Sequence, residues 1–359
     1  MKVFVQLAFG QGGESWNARW RRGEMIGLNE PYPYGYWRAA DAGTQVVYSQ
    51  DREGRLGKLV RYAGRLVLGF DFVQAWRNRR GIMAADVVWT HTEAQGLAVT
   101  LLFRVLRAKR RPKLVAQSVW LIDRWAARPF YQKWLARWLL KDADVLTFHS
   151  PLNEARARVL FPGVRTEIVL FGIDNGAMRD FVPRERDGVC RVLSLGSDQH
   201  RDWGTLVAAV SGVRGETRIA SGKPAAAKAA EGRSGISVVR ARTNEELLAL
   251  YAWADVVVVP LTENLHASGI TVIEEATILG KPVIATAAGG LEAYFGPEVV
   301  CYVPAGDAGA LRSAIEGVCA DVERQRAMVA AAQERVRSEV NSARYVERHM
   351  ELSRALLGV

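Results

Sequence analysis

Short apolar runs rich in Val, Ile and Leu alternate with longer stretches of helical periodicity along most of the chain. That alternation predicts stacked βα units around parallel sheets, whose strands are buried on both faces and read as continuous apolar runs. In the first half strands are expected at residues 2–7, 45–48, 86–89, 113–117, 144–148 and 167–170, with helices at 97–107 and 129–140. In the second half they are expected at 191–195, 218–220, 237–239, 255–260, 282–286 and 299–303, separated by helices that include 245–252, 270–279 and 307–319. The last segment, 343–357, is helical with no strand after it. The polar, Pro-bearing stretch 174–188 reads as a linker. The expected architecture is α/β: two doubly wound, Rossmann-like domains facing a cleft. The first spans 1–178 and the second 179–342, with the terminal helix 343–359 packing back on the first. A helical turn is expected at 38–43, residues 225–230 read as helix or loop, and the apolar, basic run 56–80 fits neither template.

Composition narrows the class. With 359 residues, 49% of them apolar, the chain can bury two cores and is not a disordered, collagenous or disulfide-framework protein. No stretch approaches the ~18 uninterrupted apolar residues of a membrane span, and residues 1–13 read as a first strand, not a signal peptide. The three cysteines, Cys190, Cys301 and Cys319, match no metal-ligand spacing and fit a reducing compartment, so a cytoplasmic location is expected. Charge is uneven: residues 1–180 hold 28 basic against 16 acidic side chains, residues 181–359 hold 20 against 22. Nine of the 11 tryptophans also lie in the first half, so the two halves should meet different partners.

The candidate chemistry gathers at strand ends. The run 256–260 is a buried strand closed by Pro260, followed by a polar loop and a helix that opens at Ser268, Gly269 and Ile270. A helix start offers unpaired N–H groups and a positive dipole end, which suit a phosphate. Glu275, one and a half turns in, can accept hydrogen bonds from a ribose diol. The plainer alternative is that Ser268 caps the helix and Glu275 is solvated. In the first half, Gly10–Gln11–Gly12–Gly13 follows strand one but lacks a dinucleotide or P-loop fingerprint. Tyr34 and Tyr36 can stack on a sugar or belong to the core. His91 and Glu93 follow a strand at its carboxyl end, where they can orient a substrate hydroxyl or simply start the next helix. Asp123 is a further candidate.

The block 255–292 resembles the donor-nucleotide signature of the family-four retaining glycosyltransferases of GT-B fold. It carries Pro260, Glu275–Ala276, Gly280–Lys281–Pro282–Val283, Ala285–Thr286, Gly289–Gly290 and Glu292 in the family's order. The resemblance implies that Glu275 holds the ribose of a nucleotide sugar and that Ser268, Gly269 and Ile270 face its phosphates. The family's first glutamate, which touches the donor sugar, is replaced by Ala267, with His266 and Glu263 nearby. The family's Gly-Arg pair appears as Gly196–Ser197, so Ser197 occupies the arginine position and Arg201 stands in for the lysine that grips the diphosphate. Lys223 is a weaker second cation and Arg240 lies where the base is read. Gly12 and Gly13 would lie under the donor phosphate or acceptor. Arg201, His91 and Glu93 are the implied catalytic groups.

Residues 101–141 hold eleven basic residues against one acid, Asp123, interleaved with aromatic side chains. On a helix from 129, Lys133, Arg137 and Lys141 form one stripe and Trp134 and Trp138 the next. Such a surface suits an anionic membrane, and no nucleic-acid partner is expected. The resulting expectation is a transferase that moves a sugar from a nucleoside diphosphate, UDP favoured, to a hydroxyl of a saccharide or lipid-linked acceptor. It would work with retention and without a metal or other cofactor, peripherally on the inner face of the cell membrane. The rivals are a catalytically inactive protein of the same fold on a membrane surface and a sugar-nucleotide epimerase.

Overall fold

The computed structural model describes residues 1–41, 43–51, 57–184 and 188–359. The chain divides into two compact units. The first comprises Met1–Arg22, Glu30–Leu170 and Ser342–Val359, the second Gly23–Asn29 and Phe171–Asn341. The break at Phe171 comes before the stretch expected to be the linker, whose residues 185–187 lie outside the described residues, as does Leu56 at the head of the unplaced run.

In the first unit the order is β1 (Lys2–Gln6), α1 (Gly13–Arg21), β2 (Gln45–Tyr48), α2 (Gly57–Leu68), α3 (Phe72–Met83) and β3 (Val87–Thr90). There follow α4 (Glu93–Val105), β4 (Lys113–Ser118), α5 (Phe130–Leu140), β5 (Val145–Phe148), α6 (Pro151–Leu160) and β6 (Thr166–Ile168). The sheet order is β2-β1-β3-β4-β5-β6, parallel throughout. The unplaced run forms α2 and α3. The helical turn expected at 38–43 lies earlier, as a 3-10 segment Pro33–Ala39, because Tyr34 and Gly35 take positive φ (54° and 72°) and bend the chain there.

The second unit runs β7 (Cys190–Leu195), α7 (Trp203–Val210), β8 (Gly215–Ala220), α8 (Pro224–Ala230), β9 (Ile236–Val239), α9 (Asn244–Trp253) and β10 (Val256–Val259). It closes with α10 (Ile270–Ile278), β11 (Val283–Thr286), β12 (Cys301–Val303), α11 (Ala308–Ala320) and α12 (Val322–Ser338), while α13 (Ser342–Leu357) belongs to the first unit. Its order, β12-β11-β10-β7-β8-β9, reverses direction between β10 and β7. The core explains the order of burial: Val192, Val256, Val258 and Ile284 from three neighbouring strands pack with Leu206, Ile219 and Ile315. β-Branched residues fit such a two-sided sheet.

Local sequence sets the helix starts. Asp202, Thr243, Asp307 and Asp321 each accept a hydrogen bond from a backbone N–H in the first turn of the helix they precede. One expectation is corrected here: Cys190 at the start of β7 and Cys319 near the end of α11 are joined as a disulfide, with Cα atoms 6.0 Å apart, leaving Cys301 free. A separation of 129 residues left no local signal for that pairing. Among the described residues, no helix is long and apolar enough to cross a membrane.

Candidate functional site

In an open parallel sheet, ligands bind beyond the carboxyl ends of the strands where the order reverses. In the second unit that point lies at the ends of β7 and β10. The two loops that leave them are tied together: Arg201 and Leu261 form a β-bridge, Asp202 N–H donates to Pro260 O at 3.0 Å, and Thr262 N–H donates to His200 O at 2.9 Å.

Arg201 is the centre of this site. It is 8% exposed and its Nε donates to Leu195 O at 2.9 Å. Its Nη1 is buried without a hydrogen-bond partner. Burial pulls its pKa from 12.5 down to about 10, against the opposing pull of Asp198 and Tyr251, so the guanidinium stays charged at neutral pH. Asp202, next along the chain, is engaged elsewhere: it caps α7, accepting from Thr205 N–H and Thr205 Oγ1. Two glycines make room for the guanidinium. Gly196 has φ +139° and a Cβ there would run into Arg201 Nε. Gly269, φ +89°, would place a Cβ 2.6 Å from Val259 and 2.8 Å from Arg201 Nη1.

The start of α10 carries no side-chain cap, though its N–H groups are partly engaged by backbone and by Asn264: Ser268 N–H donates to Asn264 Oδ1 at 3.3 Å, Ile270 N–H to Ala267 O at 3.2 Å and Val272 N–H to Gly269 O at 2.9 Å. The N-cap is Gly269, and Ser268, expected on the plainer view to cap the helix, has a buried Oγ without a partner. A charged donor without a partner, the positive end of a helix without a side-chain cap and a buried hydroxyl together make a place for an anion. Ile270 is buried in the first turn.

Glu275 is not a solvated helix residue. It is buried, and accepts from Leu28 N–H at 3.1 Å and Tyr251 OH at 3.0 Å. Burial raises its pKa, and these two hydrogen bonds oppose that rise. Leu28 reaches it through the segment Gly23–Asn29, held also by Gly27 N–H donating to Asn244 Oδ1 at 2.8 Å.

Ala267, at the position of the missing glutamate, is buried at φ 53° with its N–H on Gly289 O. Its neighbour His266 places Nε2 3.5 Å from Asp198 Oδ2, with the His200 ring 5.2 Å away. Burial works to raise the Asp198 pKa, but the hydrogen bonds from His266 and from His200 N–H outweigh it and hold the carboxyl below the usual range. Sequence reading missed this pair, which spans two loops and has no motif. Ser197, Lys223 and Arg240 are exposed at the ends of β7, β8 and β9.

The first-unit candidates are more structural than expected. Gly12 N–H is already taken by Asp51 Oδ2 at 3.0 Å, and Gly13 lies tight against Tyr48, so the turn's glycines serve close packing. Glu93 is buried and accepts from Val119 N–H (3.1 Å) and Trp120 N–H (3.2 Å), which makes it an anchor for the chain leaving β4. His91 stacks on Tyr34 and places Nδ1 3.2 Å from Tyr36 OH. Burial, with His149 and His349 adding to it, pushes its pKa well below 6.5. Tyr36 is fully buried and bonds Tyr345 OH at 2.7 Å, so it belongs to the core. Asp123 is half-buried in the turns between β4 and α5.

On α5, Trp134 is exposed and stacks on Trp138, which lies under the Arg104 guanidinium at 3.9 Å. Arg137 covers Trp125 and donates to Leu160 O, so the expected basic stripe is partly tied down. The chain also holds one Asp-x-Asp, Asp142–Ala143–Asp144, a pattern that can bind a divalent ion. Asp142 pairs with Arg104 at 2.6 Å, and Asp144 pairs with Arg111 and Lys113 at the amino end of β5.

Residues 191–321 match the model of the family described as glycosyl transferases group 1, and this stretch contains Arg201, Ala267 and Glu275. No curated protein matches the sequence significantly. In fold the chain is similar to sucrose-phosphate synthase of Thermosynechococcus elongatus, at 21% identity and TM-score 0.72 over 100% of both chains. It is similar also to Anabaena HepE in complex with UDP-glucose, at 14% identity and TM-score 0.67 over 99% of this chain and 100% of that one. A glycosyltransferase of Rickettsia africae gives 14% identity and TM-score 0.62, over 99% and 98%. The chain therefore has the GT-B fold, and the stretch 191–321 of its second unit matches the group 1 glycosyl transferase model.

Proposed function

We propose that the protein transfers a sugar from a nucleoside diphosphate donor, UDP-linked, to a hydroxyl of a lipid-linked saccharide, with retention and without a metal ion. The observation that carries this reading is the charged, buried Arg201, whose Nη1 has no partner, beside the start of α10, which has no side-chain cap. Together they would neutralise the departing diphosphate, an electrostatic role that needs no divalent ion. Glu275, whose carboxylate has lone pairs beyond those used by Leu28 and Tyr251, would take the ribose hydroxyls. With Ala267 offering no carboxylate, His266, held by Asp198, or Glu263 would meet the sugar. A structural neighbour solved with UDP-glucose supports UDP as the first nucleotide to try.

The inactive reading draws on Ala267 and on the structural ties of Glu93. Calorimetry with UDP, GDP and ADP in EDTA separates the two. UDP is expected to bind, and Arg201→Ala and Glu275→Ala each to weaken it by roughly 1–3 kcal/mol, as for a charged hydrogen bond. Binding of no nucleotide by the folded protein would leave the inactive reading.

A further inference from the structure

Helix α2 carries its apolar side outward. Leu59, Tyr62, Leu66 and Val67 lie on one face of the helix, with Lys58, Arg61 and Arg65 on the other. A helix packed on a globular unit normally buries the first set and exposes the second. Here the attachment runs through Arg61: its Nε donates to Asp71 Oδ2 at 2.7 Å and its guanidinium lies 3.6 Å from the Phe9 ring centre, while Arg65, itself exposed, reaches the same carboxylate at 3.4 Å and Lys58 stays exposed. Leu66 is 80% exposed and Leu59 70%. The surface continues onto α5, which α2 meets where Gln132 Nε2 donates to Val67 O at 3.4 Å; Phe130 there is 84% exposed and Trp134, one turn on, 63%.

We propose that α2 and the first turns of α5 form an insertion surface for an anionic bilayer, with α2 lying in the plane of the interface. An exposed apolar face of this kind has to be covered by something. A second copy is disfavoured by charge, since self-association through this face would bring together two copies of the basic half of the chain, 28 basic against 16 acidic residues in 1–180. That excess is complementary to anionic headgroups, where each nearby cation adds on the order of 1 kcal/mol. At twelve residues α2 is too short to cross a bilayer, which fits a helix that lies on one. The inference deepens the proposed function by naming the surface from which a lipid-linked acceptor would be reached, and its purpose rests on that reading.

The test is flotation of the full chain with vesicles of phosphatidylcholine alone or with phosphatidylglycerol. The wild type should float with the anionic vesicles. Leu59→Glu/Leu66→Glu should lower the partition coefficient roughly ten- to hundredfold, with unchanged circular dichroism because both side chains are already in water. Phe130→Ser is a second variant on the other helix. Flotation of the double variant like the wild type, or no flotation of the wild type with anionic vesicles, would overturn the proposal. So would a wild-type dimer that the double variant dissolves without any vesicle binding. UDP binding is measured on the same samples: its loss alongside normal flotation would sink the transferase reading and leave this surface standing.

Discussion

Arg201 owes its position to what its neighbours lack. Gly196 and Gly269 both adopt positive φ, and both leave open the space in which a Cβ would meet the guanidinium. A glycine is required at each for two reasons at once, backbone conformation and clearance. Gly196→Ala is thus expected to cost about 1–3 kcal/mol of stability and to weaken UDP binding together with it. Gly222→Ala, where the nearest atom to an added Cβ is 3.8 Å away, serves as the control with little effect on either. Denaturant unfolding paired with calorimetry reads both quantities, and equal behaviour of the two variants would refute the clearance argument. Arg201 was legible as a residue because a cation follows the first strand of this unit at a helix start. Its burial and its unpartnered nitrogen were not, since they depend on Gly269, 68 residues further along. The Asp198–His266 pair is hidden for the same reason: two loops brought together by adjacent strands leave no periodic trace.

At the scale of elements, α13 shows how a helix can carry a pH dependence. His349 lies fully buried among Tyr36, Trp89, Tyr345 and, near them, His149 and His91. Its Nδ1 faces Tyr345 O at 2.9 Å, and its Nε2 has no partner. Burial lowers its pKa from 6.5 to about 4, with Tyr345 O opposing and His149 adding to the shift. The folded state therefore binds fewer protons than the unfolded one between those values. Stability is whole above about pH 6.5 and is lost as pH falls towards about 4, and His91, shifted in the same direction, adds to the slope. The melting temperature should fall between pH 7 and pH 4.5, and His349→Gln should flatten that fall; an unchanged slope in the variant would assign the titration elsewhere. The central strands β3, β5, β10 and β11 were readable because each is a run of mostly apolar, often β-branched residues buried on both faces, whereas the edge strands β2, β6 and β9 are partly exposed. Helix α2 was not readable, because its apolar positions point outward and its pattern therefore says nothing about where the core lies. The segment Pro33–Ala39 escaped because its bend depends on a tyrosine at positive φ, a conformation no local propensity favours.

For the molecule as a whole, the chain passes from one unit to the other four times: after Arg22, after Asn29, after Leu170 and after Asn341. Composition and charge told the two halves apart, and the sequence placed a single boundary near residue 178 with a returning helix. The earlier passage at 23–29 gave no sign, since seven residues carry no periodicity and their role emerges only from Leu28 and Gly27 meeting Glu275 and Asn244. A protease site inserted after exposed Val182, once cut, should therefore not release two folded halves. The pieces 1–182 and 183–359 are expected to co-elute on gel filtration and to part only in denaturant, and separation under native conditions would contradict the interleaving. The same threading limits how such a protein can be recombined. One crossover at the linker would join a second unit to a foreign segment 23–29 and a first unit to a foreign α13, so a working hybrid needs four junctions instead of one.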